Sequence, residues 1–337
     1  MITAEARKLD LAVSPVERLH GLVARDMEST DRLIHENLGS TASLIPELAK
    51  HLVDSGGKRL RPLLTLAAAK AGGYEGNAHI LLAAAVEFIH TATLLHDDVV
   101  DASALRRGKA SANIVWGNKP SVLVGDFLFS RAFQLMVEAG SMAVLDVLAS
   151  ASAIIAEGEV MQLKATSNLA TGEDDYLRVV EAKTAALFSA AAQSGAMVSH
   201  RGPDFAQALR MYGHNLGIAF QLADDALDYS GHQALMGKSV GDDFREAKVT
   251  LPVILAYERA DEEGRRFWRR TIESGTLHEG DLQHAIANVE GTGAIGETLA
   301  RARRYADAAS KALAVLPPSE IREALGEVAE FCVDRAY

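Results

Sequence analysis

Two aspartate triplets carry the strongest chemical signal in this chain. Asp97-Asp98-Val99-Val100-Asp101 and Asp224-Asp225-Ala226-Leu227-Asp228 each set carboxylates at positions i, i+1 and i+4, behind a mostly apolar run. On a helix turning 100° per residue, the outer two acids of a triplet lie about 40° apart and the middle one within about 100° of either. Like charges about 4 Å apart repel by roughly 4 kcal/mol at an effective dielectric near 20. Cations must offset that repulsion, and an all-oxygen donor set with room for water and phosphate oxygens points to Mg²⁺. A solvated helix end explains most single acidic triplets. Two of identical spacing are much harder to explain that way, and neither matches the alternating loop ligands of an EF-hand.

Groups suited to diphosphate accompany the acids. Gly56-Gly57-Lys58-Arg59-Leu60-Arg61-Pro62 sets two glycines before a turn with three cations, an anion site at a helix start with Lys58 and Arg61 one turn apart. It is not a nucleotide P-loop, since Leu52 stands where the first glycine belongs. Arg106 and Arg107 follow the first triplet. His90 lies seven residues before Asp97, about 20° away around a helix. Lys183 and Thr184 interrupt an alanine-rich helix, Gln221 precedes the second triplet by one turn, and Lys238 and Lys248 lie beyond it. Each alone reads as surface or core; together they describe a metal-bridged site for two diphosphates.

The elements that must hold these groups are helices. Apolar residues recur at intervals of three and four, no period-two run is evident, and Gly or Pro punctuation divides the chain every 20–30 residues. The pattern predicts an all-α, single-domain bundle of about a dozen helices over residues 1–337, with a motif core at 56–252, N-terminal helices at 15–55 and C-terminal helices at 253–337. Between Asp228 and Leu251 the chain is rich in Gly and charge, as expected of a lid.

Composition narrows the classes further. The 337 residues are 48% hydrophobic, 23% charged and 6% aromatic, with a formal net charge of -11. That excludes a disordered chain and argues against nucleic acid, which demands a basic face. One cysteine, Cys332, excludes an internal disulfide framework and fits a reducing cytoplasm. No signal peptide is legible, and the apolar stretch Ala83–His96 reads as too short to span a bilayer. Acidity argues against more than peripheral membrane contact.

GGKRLRP, LLHDDVVDASALRRG, EAKTA, FQLADDALD and GKSVGDDFREAKVTLP, in that order, resemble the motifs of the trans-isoprenyl diphosphate synthases, or polyprenyl synthetases. The resemblance implies an all-α fold around a deep cavity, usually a homodimer. It implies about three Mg²⁺ ions held by Asp97, Asp98, Asp101, Asp224, Asp225 and Asp228 and bridged to an allylic diphosphate, such as farnesyl or geranylgeranyl diphosphate. Arg106, Lys183, Thr184, Gln221, Lys238 and Lys248 would hold that diphosphate, and Lys58, Arg61, His90 and Arg107 isopentenyl diphosphate. Asp97, Asp98, Asp101, Lys183, Asp224 and Asp225 would carry catalysis. One departure is visible: Ala247 stands before Lys248 where the family often has glycine.

Within such a family, bulk before the first triplet limits product length. Ala92 and Thr93 are small, so the tunnel is expected to be open and the product long, forty to fifty carbons, as in the octaprenyl to decaprenyl synthases that feed quinone side chains. A helical wheel sets Thr93 about 40° from Asp97 but Ala92 about 140° away, so Ala92 as tunnel wall rests on the resemblance. Phe127, Phe133 and Met136 are candidate floors. Competing readings are a shorter-chain farnesyl or geranylgeranyl synthase, a non-catalytic subunit of a heteromeric synthase, a terpene cyclase, which has no need of a second anion site, and an HD-type phosphohydrolase, for which His51 and His79 are poorly placed.

Overall fold

The computed structural model describes residues 13–53, 57–106, 109–230 and 240–334. Arg107 and Lys238 lie outside them. The described chain is helical almost throughout: α1 (Pro15–Leu22), α2 (Ala24–Asn37), α3 (Leu44–Val53), α4 (Leu60–Ala71), α5 (Ala78–Val100), α6 (Ala112–Trp116), α7 (Asn118–Glu138), α8 (Met142–Ala165), α9 (Glu173–Val180), α10 (Ala186–Val198), α11 (Pro203–Asp228), α12 (Asp242–Arg245), α13 (Leu251–Arg259), α14 (Glu262–Trp268), α15 (Asp281–Gly291), α16 (Ala294–Ala312) and α17 (Glu320–Asp334). There are more segments than the expected dozen because several are short, Ala112–Trp116 and Asp242–Arg245 having 5 and 4 residues, and because one long run changes pitch: a π-helical turn, Glu181–Ala185, joins α9 to α10, and another, Arg269–Glu273, follows α14. A two-residue antiparallel hairpin pairs Leu105–Arg106 with Lys109–Ala110, too short to leave an alternating pattern in the sequence.

Prolines start several helices, as at Pro15, Pro203 and Pro252, where a missing N–H costs nothing. Ser14 caps α1 in a full capping box with Glu17.

Helix α5 is central. It packs on α7, α4, α2 and α10, and α10 in turn packs on α11, α4 and α8. At 23 residues α5 is longer than the apolar stretch read from sequence, and by length and composition it could cross a membrane. Its apolar residues instead enter the core: Leu82, Ala84, Ala85, Val86, Phe88, Ile89, Ala92 and Leu95 are almost wholly buried. Small residues bring the central helices close. A Cβ on Gly213 of α11 would stand 2.3 Å from the Phe188 carbonyl oxygen of α10, so the two backbones touch where another residue would hold them apart.

Among the described residues, three large apolar clusters surround the middle of the molecule: one among α5, α7, α8 and α10, one among α4, α10, α11 and α17, and one among α11, α13, α15 and α16. The polar ends of α5 and α11 emerge between them, and the functional candidates gather there.

Candidate active site

A cavity of about 580 Å³ opens between α4, α5, α8, α10 and α11. Gly57, Lys58, Arg59 and Arg61 line one side, Asp97, Lys183 and Asp224 another, and Leu94, Ile155, Phe188 and Phe220 supply apolar wall between them. His90, Thr93, Arg106, Thr184 and Gln221 line it too. Residues that the sequence scatters over more than 160 positions thus meet in one space.

The six aspartates do not all face it. Asp97 does, its Oδ2 3.5 Å from Lys183 Nζ. Asp98 turns inward and is wholly buried, where Arg106 of the hairpin donates to Oδ1 from Nε at 3.0 Å. Burial raises the Asp98 pKa, with Arg106 opposing. Asp101 caps α5 and pairs with Lys248 at 2.9 Å. Burial works to lower Lys248, but Asp101, Asp243 and Glu246 outweigh it and hold the ammonium charged.

On α11, Asp224 lines the cavity. Asp225 sits behind it, almost fully buried, taking one hydrogen bond from Tyr176 Oη and one from Gln221 Nε2 at 2.7 Å. Gln221 Oε1 accepts from Thr184 Oγ1 at 2.8 Å. Gln221 therefore serves Asp225 and Thr184 as a bridge. Burial, with Asp224 and Asp228 nearby, lifts the Asp225 pKa to about 7 against those two hydrogen bonds. Asp228 accepts backbone amides of Gly241, Asp242 and Asp243 at 2.9, 3.2 and 3.0 Å, so it anchors the start of α12. Burial raises it, and the amides oppose.

On the opposite wall, Arg61 NH1 lies 3.3 Å from His90 Nε2, and its guanidinium stacks 4.3 Å over the Phe188 ring. Lys58 Nζ stands 5.5 Å over Phe331 of α17. The α4 helix starts at Leu60, as the glycine and cation pattern requires.

Lys183 and Thr184 ride on the π-helical turn, which widens the helix locally so that both reach the cavity. Nothing in the composition of the segment announces that turn. Four other residues escaped the sequence reading. Glu159 of α8 bonds Lys183 at 2.7 Å, and burial with Asp97 beside it lifts its pKa to about 7 against Lys183. Tyr176, buried on α9, has no sequence signal. Asp243 and Glu246 lie within the quoted motif GDDFREAK but were not singled out; burial, then Asp225 and Asp228, push Asp243 well up. A second cavity of about 140 Å³, lined by Tyr176, Lys183, Asp225, Asp243 and Lys248, adjoins the first.

Thr93 lines the large cavity, whereas Ala92 is fully buried in the core cluster that also holds Leu128 and Ala132. Of the candidate floors, Phe127 and Met136 pack in that core, whereas Phe133 is 42% exposed on α7 and stands outside it.

The acids and their surroundings suit a hard divalent cation. Every donor is a carboxylate oxygen, and Asp98 Oδ2 is buried without a hydrogen-bond donor. Among the described residues no three acidic, histidine or cysteine side chains converge on one point; in this arrangement Lys183, Arg106 and Lys248 each neutralise one aspartate instead.

The sequence profile of the polyprenyl synthetases matches residues 42–289. The chain belongs to the polyprenyl synthetase family. This bears out the expected family, the all-α fold and the prenyltransferase class of enzyme. Octaprenyl diphosphate synthase of Escherichia coli (strain K12) is 46% identical over 320 residues, covering 95% of this chain and 99% of the relative. Among solved structures, a decaprenyl diphosphate synthase from Rhodobacter capsulatus matches at a TM-score of 0.92 and 54% identity, covering 96% of this chain and all (100%) of that one. A polyprenyl synthase from Caulobacter crescentus CB15, complexed with calcium and isoprenyl diphosphate, matches at 0.93 and 51%, covering 98% of this chain and 100% of that one.

Proposed function

We propose that this family member adds isopentenyl diphosphate units head-to-tail to an allylic diphosphate, farnesyl or geranylgeranyl, and so builds an all-trans chain of forty to fifty carbons for quinone side chains. The observation that carries the reading is the single cavity in which a wall of Lys58, Arg61 and His90 faces a mixed acidic and cationic wall (Asp97, Lys183, Asp224) across apolar side chains. Two diphosphates and a hydrocarbon tail match that layout.

In this reading Lys58, Arg61, His90 and Arg107 hold isopentenyl diphosphate. Arg106, Lys183, Thr184, Gln221, Lys238 and Lys248 hold the allylic diphosphate. Asp97, Asp98, Asp101, Asp224, Asp225 and Asp228 hold Mg²⁺, about three ions, with Asp97 and Asp224 the two on the large cavity. The metal supplies positive charge that stabilises the departing diphosphate. The cations of the chain share that task, so the allylic carbon–oxygen bond ionises where charge is already balanced. Phe188, Phe220, Leu94 and Ile155 keep water from the allylic cation; the isopentenyl alkene attacks it, and the tertiary cation so formed loses a proton to the released diphosphate, leaving a longer allylic diphosphate. Each added unit buries five carbons, worth about 3–4 kcal/mol at about 0.8 per methylene, so growth continues until a wall intervenes.

The long product is supported by the named octaprenyl and decaprenyl relatives and by the small Thr93 on the cavity wall. A homodimer is supported by apolar side chains left exposed on α7 and α8: Leu123, Val137, Val160 and Leu163 are 58–66% exposed. We read residues 1–337 as one domain, working in the cytoplasm with at most peripheral membrane contact. The test is a product assay with Mg²⁺, labelled isopentenyl diphosphate and farnesyl diphosphate, sized by mass spectrometry. Eight to ten units support the reading. Three or four units keep the chemistry and refute the open tunnel, and no elongation refutes the function.

A further inference from the structure

Glu159 is an acid on the cavity wall that belongs to neither triplet, and the reaction above assigns it nothing. It projects from α8 toward Lys183 of the π-helical turn. Its Oε2 accepts from Lys183 Nζ at 2.7 Å, while Asp97 Oδ2 stands 3.5 Å from the same nitrogen. All three side chains are at most 24% exposed. An ammonium is a compact charge on a flexible stem, and with Asp97 as its nearby acid it would close to ordinary hydrogen-bond contact. Here the closer contact goes to Glu159.

The backbones behind this pair are locked. Gly158 lets α8 lie against the π-helical turn: a Cβ there would stand 2.8 Å from Lys183 N and 2.9 Å from Ala182 Cβ. The roots of Glu159 and Lys183 therefore keep a set distance, and the ion pair between them has little slack.

We propose that Glu159 is the positioning residue for Lys183: it draws the ammonium off Asp97, so that Asp97 keeps its lone pairs for a divalent cation while Lys183 stays aimed into the cavity. The inference rests on the roles of Asp97 and Lys183 proposed above. Without Glu159, Lys183 falls onto Asp97, and ammonium and metal compete for one carboxylate. Glu159 itself need touch no reacting atom.

Calorimetric titration of the full chain with inorganic pyrophosphate in the presence of Mg²⁺ tests this without turnover. Glu159→Ala is expected to weaken Mg²⁺-dependent pyrophosphate binding about tenfold. The Mg²⁺ half-saturation of prenyl transfer should rise by a similar factor, with the isopentenyl diphosphate KM unchanged. Glu159→Gln keeps an acceptor oxygen for Lys183 and should lose about threefold; it also serves if the alanine variant fails to fold. In a Lys183→Met background the Glu159 substitutions should lose most of that effect, leaving only the direct influence of Glu159 on the neighbouring Asp97. Undiminished pyrophosphate binding in the single variants, or a full loss that persists without Lys183, overturns the proposal. A wild-type chain that binds pyrophosphate with Mg²⁺ but transfers no prenyl group would instead overturn the function and leave this cycle readable.

Discussion

Lys248 Nζ lies 2.9 Å from Asp101 Oδ2, which ties the segment after the second triplet to the end of the helix that carries the first. Ser103 Oγ donates to Glu246 at 3.2 Å, a second strand of the tie, and Glu246 pairs with Lys248 to join the two on the later segment. The backbone needed to make it is strained. Ala247 adopts φ +53°, a left-handed conformation that costs an L-residue roughly 1–2 kcal/mol. This is the position where the family often has glycine.

Ala247→Gly is therefore expected to stabilise the ligand-free protein. The relief of strain is partly offset by the extra freedom of glycine in the unfolded chain, leaving a gain of about 0.5–1 kcal/mol. Urea denaturation measures it. A loss of stability would mean that the Ala247 side chain contributes packing that outweighs its strain.

Arg106→Ala should be among the most destabilising changes near the site. It leaves the wholly buried Asp98 carboxylate without its guanidinium, a cost of about 3–5 kcal/mol. Arg106→Lys should recover only part, since an ammonium cannot reproduce the two-nitrogen contact. Adding Asp98→Asn to Arg106→Ala should restore stability but not activity. Chemical denaturation of the three variants separates an ion-pair role from simple loss of packing.

Burial at the site makes stability pH-dependent. Asp225 and Glu159 have pKa values raised from 3.8 and 4.5 to about 7. Between roughly pH 5 and 7 the folded chain holds protons that the unfolded chain has released, so stability falls as pH rises through that window and levels off above it. Each group contributes at most about 1.4 kcal/mol per pH unit. Unfolding of the ligand-free protein at pH 5.5 and 7.5 should show the lower stability at pH 7.5, and Glu159→Gln should reduce the difference. Equal stability at both values would count against buried, proton-holding acids.

Product length should respond to Thr93 more directly than to Ala92. Thr93→Phe places a ring in the large cavity and is expected to shorten the product by several isoprene units with the fold intact. Ala92→Phe must first push apart a close-packed core, at about 1–3 kcal/mol. Mass spectrometry of the products, beside thermal melts, distinguishes the two. An unchanged product from Thr93→Phe would take that side chain off the path of the growing chain.

The triplets, the glycine and cation run and the helical period were legible from sequence because each is local. Spacing of i, i+1 and i+4 sets angles around one helix, and recurrence of apolar residues at three and four sets which face is buried. The family followed from the order of such local motifs. What sequence could not determine is which acid faces which cation, because that depends on helices far apart in the chain. Asp98 looked equivalent to Asp97, yet the hairpin bearing Arg106 folds back on the end of α5 and takes it inward. Asp228 repeats the spacing of Asp101, yet three amides of the following segment converge on its carboxylate, a partner set that no local pattern announces. Glu159 and Tyr176 carry no signal in their own segments; contact of α8 with the π-helical turn and of α9 with α11 brings them to Lys183 and Asp225. Types and periods come from the chain itself, but the pairing of charges across the cavity comes from packing, where desolvation makes each buried charge take whichever partner the tertiary structure sets within reach.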